Sequence, residues 1–574
     1  MNENEQRRVL SQVALGDTPP DTIVTNGVVF NAFTREFLKD QSIWIKDGRI
    51  AYVGSDPDPL RDDQTRLIDA QGRVVLPGLI EGHTHATSNR SGVEEFVKHV
   101  IPSGVTTVIT ETIELASVVG KKGIETVVRG LENQPIRFFY TIPPLCGLTA
   151  EEEASAPDNG ELLAFLKDPR CLGVGEIYWG NLLLRGRQGE RVRELASMAL
   201  ELGKRVEGHT AGASGRKLQA YTDLGVSSCH EPITEEEVLD RLRLGYWVMI
   251  RQGTIRKELE AVQGIFKRGL DLRRLILVTD GVDPEGFLTD GYLDASLREA
   301  LRLGAPAGIA YQMVTLNVAE HFGLADRVGS VSPGRMADLV VIPSPDQYAP
   351  ELILCEGKMI FQNGKSLVAP RKISYPEELF DTVKIDNYRF PPIPVKGRVR
   401  GMELVSRLVS QETVINLDDQ EQRKGLNLIL AIDRVAGGGS FMGFLKGLGL
   451  QRGAVGTTMS WDTVDLIVVG CDPSSMKTVI ERLKAIGGGA VFAIDQEVMA
   501  EFPAPLCGVN SSKSMEAVRE EMRAVEAALR QNGVKWDRPV LTVDTLGTCA
   551  IPQLRITHRG YVRLRDRQVL PLEV

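Results

Sequence analysis

No CxxC pair occurs among the seven cysteines, Cys146, Cys171, Cys229, Cys355, Cys471, Cys507 and Cys549. Thiols scattered in this way argue against a disulfide framework; they read as reduced, mostly small buried hydrophobes. No apolar run approaches the length of a bilayer span. The N-terminal "MNENEQRRVLSQVALGD" lacks the apolar core of a signal peptide. A cytoplasmic protein without a membrane partner is therefore expected. The net charge of −9 argues against non-specific nucleic-acid binding. The glycine runs never form G-x-x-x-x-G-K-[ST], so they read as tight turns rather than phosphate cradles. Histidine is scarce, with only seven in the chain.

At 574 residues the chain exceeds one ordinary core, which predicts two or three domains. The first dozen residues are polar and read as loose. From Asp21 to Val75 come short β-like runs with hairpin signals at Asn26-Gly27 and Asp47-Gly48. From Gly78 to about Gly323, apolar strands alternate with helical stretches such as "ERVRELASMALELG" and "TEEEVLDRLRLG". The latter opens with a capping box, Thr234 and Glu237. About eight β/α units result, the count of a TIM barrel. β texture returns in "VGSVSPGRMADLVVIPS" and fits completion of the N-terminal sheet. A proline-containing linker, "FPPIPVKG", opens a glycine-rich α/β region. The expected fold class is α/β: a (β/α)8 TIM-like barrel at 78–324, a composite β-sandwich domain from 1–77 and 325–389, and a C-terminal α/β domain at 390–574.

The scarce histidines are not spread evenly. "VVLPGLIEGHTHATSN" ends a strand with His83 and His85, and residues i and i+2 of a strand share one face. Later strands end in Glu176, His209, His230 and Asp280. Imidazole and carboxylate donors gathered at the C-terminal end of a barrel suit a binuclear divalent metal centre of Mn, Fe or Zn, with a carboxylate bridging the ions. Such a centre ionises water near neutral pH. Asp280 is the natural proton carrier, and Glu231, beside His230, is a supporting or acid/base candidate. His99, His321 and His558 read as structural; His321 sits at a helix end, where a cation is mildly favoured.

These stretches resemble the adenine deaminase family of the amidohydrolase superfamily. "PGLIEGHTH", "GVGEIYW", "VEGHTAG", "SSCHEP" and "LVTDG" are similar to its metal motifs, in order. "MVTLNVAEHFGL", "DLIVVG", "FPAPLCG" and "IPQLRITHRGYV" extend the likeness over nearly the full length. The resemblance implies a two-metal site and hydrolytic release of ammonia from C6 of adenine. The chain departs from the family's pattern around the substrate. Glu111-Thr112-Ile113-Glu114 replaces an Asp-Pro-His-Glu run, and Thr87 and Asn89 follow the histidine pair where an acidic residue is usual. Gln252 stands for a glutamate, and "TTMSWDTVD" for a histidine-containing segment.

Five residues are substrate-binding candidates, each with a plainer alternative. Glu111 and Glu114 read a substrate N–H or form an exposed loop pair. Trp179 stacks on a flat ring or packs. Arg251 holds an anionic group or a salt bridge. Gln252 is a candidate as the altered motif residue. The expected activity is hydrolysis of a non-peptide C–N bond in a small nitrogen heterocycle. Deamination of adenine or a related aminopurine is the first reading, and opening of a lactam or ureide ring the second. A non-catalytic scaffold would have lost a ligand, and all six are present. A homo-oligomer, dimer or higher, is expected.

Overall fold

The computed structural model describes every residue except 1, 57–59, 146–155, 184, 438, 462, 549 and 552; Cys146 and Cys549 thus lie outside the described residues. The chain starts with α1 (Glu3–Ala14), where a loose segment is expected from sequence. Asn2 and Glu5 form a capping box, and Leu10 and Val13, three apart on one helical face, pack against Ile23, Trp44 and Ala51.

Five strands follow: β1 (Thr22–Asn31), β2 (Glu36–Lys46), β3 (Arg49–Gly54), β4 (Arg66–Asp69) and β5 (Val74–Pro77). Asp47-Gly48 makes the β2–β3 turn, both residues at positive φ. Asn26-Gly27 does not make a turn. It is a bulge inside β1, with Asn26 at φ 53°. A Cβ on Gly27 would lie 2.9 Å from Val75 Cγ2, so the glycine serves close strand approach.

The barrel strands are β6 (Leu79–Thr84), β7 (Val105–Thr110), β8 (Arg137–Ile142), β9 (Cys171–Tyr178), β10 (Arg205–His209), β11 (Ser228–Cys229), β12 (Trp247–Arg251) and β13 (Leu275–Val278). β6–β10 form one parallel arc and β11–β13 a second. Ser227 N–H to Val206 O (3.1 Å) and Asp280 N–H to His83 O (3.1 Å) bridge the arcs. The result is a (β/α)8-like barrel. Runs such as "VTTVIT" and "LILV" are buried throughout, as parallel strands covered on both faces require. Helix Glu235–Arg243 is capped by Thr234, which accepts from Glu237 N–H. The Glu237 carboxylate turns to Ile233 N–H, so the box is completed one residue earlier than expected.

After the barrel, β14 (Leu339–Ile342), β15 (Leu352–Cys355), β16 (Lys358–Gln362) and β17 (Lys365–Ser366) join β1–β5 in one nine-stranded sheet. The join is β14 against β5, with Leu339 opposite Pro77 and Ile342 opposite Val74. The C-terminal region holds an eight-stranded sheet, from β18 (Arg398–Leu404) to β25 (Glu497–Pro503), and a small three-stranded one. In its strand Leu426–Ile432, Ile429 and Ala431 join one hydrophobic cluster with helix Met515–Gln531. Leu430 and Ile432 join another with helix Pro473–Ala485. That period-two split is why the run Ile429–Ile432 is apolar on both faces. No helix among the described residues is long and apolar enough to cross a membrane.

Phe492 is fully buried between this sheet and helix Met515–Gln531. Phe492→Ala should cost about 3–5 kcal/mol; a lower denaturant midpoint at unchanged slope is the expected readout.

Candidate metal centre

The residues singled out from sequence converge. His83 lies at the end of β6 and His85 just past it, Glu176 lies in β9, His209 ends β10, His230 follows β11 directly, and Asp280 comes two residues after β13. The His83 and His230 rings stack with centroids 4.2 Å apart, and His209 meets His230 edge-on at 5.1 Å. Glu176 sits between two histidine groups. Its Oε1 is 3.6 Å from His85 Nε2, and its Oε2 is 2.5 Å from His209 Nδ1 and 2.8 Å from His230 Nε2. Asp280 Oδ1 lies 3.2 Å from His83 Nε2 and 3.6 Å from His85 Nε2.

Three sets of donors each gather within 4.8 Å: His83, His85 and Glu176; Glu176, His209 and His230; and His83, His230 and Asp280. Glu176 belongs to two of them, as a bridging carboxylate would. The donor set passes a direct test. Nε2 of His83, His209 and His230 are buried and make no hydrogen bond, although carboxylate oxygens lie near two of them. Close approach without hydrogen-bond geometry suits donors aimed at a common cation, since ligands about 2.1 Å from one ion lie roughly 3.4 Å apart in a tetrahedron. Burial works to raise the pKa of Glu176 and Asp280. For Glu176 the His209 and His230 imidazoles outweigh it; for Asp280 the His83 and His85 imidazoles do. Both carboxyls are held well below the usual range, in the form a cation needs.

A second layer orients the first. Glu114 accepts from His85 Nδ1 (2.7 Å) and from Thr87 Oγ1 (2.9 Å), leaving His85 Nε2 to face the centre. Glu111 lies behind His83, 3.6 Å from Nδ1, and burial pushes its carboxyl up to about 7. Arg251 pairs with both Glu231 oxygens, with Glu258 (2.6 and 2.9 Å) and with Asp280 Oδ2 (3.2 Å). Its donors are spent inside the protein, which is the salt-bridge alternative foreseen for it.

A cavity of about 320 Å³ opens over the centre. Of the five substrate-binding candidates, Glu114 and Arg251 reach its wall; Glu111, Trp179 and Gln252 do not. The Trp179 indole N–H donates to Ala211 O (2.8 Å) and its ring lies under Lys217. The Gln252 side chain turns to Leu259 N–H (3.4 Å). Tyr178, edge-on to His209 at 4.6 Å, lines the cavity and had a signal: it follows Glu176 by two in β9. Ser460, Trp461 and Ile551 form a roof supplied by the C-terminal region; the first two lie in the "TTMSWDTVD" stretch that departs from the family's pattern. The roof is fastened near the metal loop. Arg90 pairs with Asp544 (3.0 Å), and the Asn510 amide donates to Thr87 O (2.7 Å) and Ser91 O (2.8 Å). The remaining histidines lie apart from this centre: His321 Nε2 meets Glu207 at 2.8 Å, His558 Nδ1 meets Asp465 at 2.9 Å, and His99 Nε2 faces Glu516 at 3.5 Å and Glu95 at 3.7 Å.

Barrel and centre together define a metal-binding hydrolase class, and residues 74–365 match the amidohydrolase family. Residues 403–568 match the adenine deaminase C-terminal domain. The chain is 32% identical to the adenine deaminase of Moorella thermoacetica over 97% of its length and 96% of that protein. It is 30% identical to the adenine deaminase of Cenarchaeum symbiosum over 98% of its length and 94% of that protein. Among solved structures, L-hydantoinase (dihydropyrimidinase) from Arthrobacter aurescens aligns with a TM-score of 0.46 at 15% identity, covering 61% of this chain and 98% of that one. The chain belongs to the adenine deaminase family of amidohydrolases, hydrolases of C–N bonds other than peptide bonds.

Replacing Glu114 by Ala removes the partner that fixes the His85 ring. Metal affinity should fall roughly 10- to 100-fold, read by chelator competition on folded protein.

Proposed function

We propose that the chain deaminates an aminopurine of the adenine class: adenine and water give hypoxanthine and ammonia. The observation that carries the reading is the overlap of three donor groups, drawn from His83, His85, Glu176, His209, His230 and Asp280, with Nε2 of His83, His209 and His230 buried and free of hydrogen bonds beneath a cavity. His83, His85, Glu176, His209, His230 and Asp280 would hold two divalent ions, Mn, Fe or Zn. When bound, the ions supply Lewis acidity that ionises water near neutral pH.

The chain's own groups do the rest. Asp280, kept ionised beside His83 and Arg251, takes the proton from water and delivers it to the leaving amino nitrogen. Glu231 is pinned by Arg251, with Oε1 3.4 Å from both His209 Nδ1 and His230 Nε2. It positions those imidazoles rather than carrying a proton. The roof of Trp461 and Ile551 excludes bulk water and offers apolar faces to a flat ring. The single sheet shared by β1–β5 and β14–β17 supports a composite β-domain from 1–77 and 325–389, around a barrel at 78–324 and before a C-terminal domain at 390–574.

Protein loaded with Mn, Fe or Zn should release ammonia from adenine while a purine ultraviolet band persists. Loss of the band would indicate ring opening, and no ammonia with any aminopurine would end the proposal. In the same assay, Asp280→Asn should lower kcat by about 10²–10⁴-fold, with metal content measured on the same sample.

A further inference from the structure

The cavity wall carries three arginines, Arg90, Arg251 and Arg256, and their surroundings differ. Arg90 is held by Asp544 and by Met459 O. Arg251 is surrounded by Glu231, Glu258 and Asp280. The Arg256 guanidinium makes no hydrogen bond or ion pair with any described residue. The acidic groups on the same wall are already engaged. Glu114 serves His85, Glu237 serves Ile233 N–H, and Glu231 and Asp280 serve Arg251.

Arg256 is also held in place. Gly253 N–H donates to Arg256 O (2.9 Å), closing the turn after β12. The Arg407 guanidinium donates to Ile255 O (2.6 Å) and pairs with Asp537, so the C-terminal domain fixes the loop. A half-buried cation on this fastened loop, on a cavity wall that also carries Ile255, Ile233, Leu408 and Val409, is better satisfied when an anion meets it. Burial, and then the neighbouring Arg251, push its pKa down, outweighing Glu231 and Glu258.

We infer that the substrate carries a negative charge, a carboxylate or phosphate substituent on the heterocycle, and that Arg256 receives it. A planar guanidinium binds either group through two parallel hydrogen bonds. This rests on the aminopurine reading above and narrows it: plain adenine would leave Arg256 unmatched, whereas an anionic aminopurine would be matched at both ends. Arg256 is then a specificity residue, while the metal ligands serve every substrate alike.

The test is calorimetric binding of adenine, adenin-9-ylacetate and adenosine 5′-monophosphate to the full-length metal-loaded protein and to Arg256→Gln and Arg256→Lys, with ammonia release measured in parallel. The wild type should bind at least one anionic probe on the order of 10- to 100-fold tighter than adenine. Arg256→Gln should bring that ratio close to one, and Arg256→Lys should keep part of it. Preference for the acetate or for the phosphate identifies the anion, and either outcome supports the inference. Equal or weaker binding of both anionic probes overturns it, as does a preference that survives in Arg256→Gln. An anion preference without ammonia from any probe would overturn deamination and leave the role of Arg256 standing; ammonia from adenine with no anion preference would do the reverse.

Discussion

One carboxylate organises the molecule. Glu176 turns its two oxygens toward two different histidine groups, His85 on one side and His209 with His230 on the other. Burying that many imidazoles and carboxyls costs free energy unless each has a partner or a shared cation. The barrel supplies the rigidity that makes the burial possible. Its closure brings the first and last ligand-bearing strands together, with Asp280 N–H bonded to His83 O. A site assembled from five separate strand ends cannot form before the ring of strands does.

Charge around the centre is distributed by a second set of side chains. Glu114 fixes the outer nitrogen of His85, and Arg251 holds Glu231, Glu258 and Asp280 together. These groups set the direction in which the inner donors face, which matters for a metal as much as their identity. The C-terminal region adds a constraint of a different kind. By gripping the loop that follows His85 through Asn510 and Asp544, it makes the cavity roof and the ligand loop one unit. The candidate metal centre and the cavity are thereby linked although they come from distant parts of the chain.

Much of this was legible in the residues, for local reasons. His83 and His85 share a strand face, so their pairing needs only the alternation of side chains. Barrel strands such as Val105–Thr110 and Leu275–Val278 read as apolar runs because parallel strands are buried on both faces. The misreadings are local too. Asn26-Gly27 has the chemistry of a hairpin turn, yet β1 runs through it, because the close approach of Val75 asks for a glycine there. The N-terminal helix was hidden because only Leu10 and Val13 carry its buried face. Trp179 and Gln252 lie next to strands that build the centre, but side chains just past a strand end turn where the loop takes them. Theirs turn to Ala211 and Leu259.

The linear order of residues by itself pointed to the candidate donor residues, the alternating barrel strands and the return of β texture after them. Those depend on periodicity and residue chemistry, which act over short stretches. Only the tertiary structure decided which polar groups remain available to a ligand. Arg251 and Arg256 look alike in the string of residues, five positions apart. One is consumed by three carboxylates and the other is left facing the cavity. That difference arises from long-range packing, because the groups that satisfy or neglect a guanidinium come from other strands and from another domain.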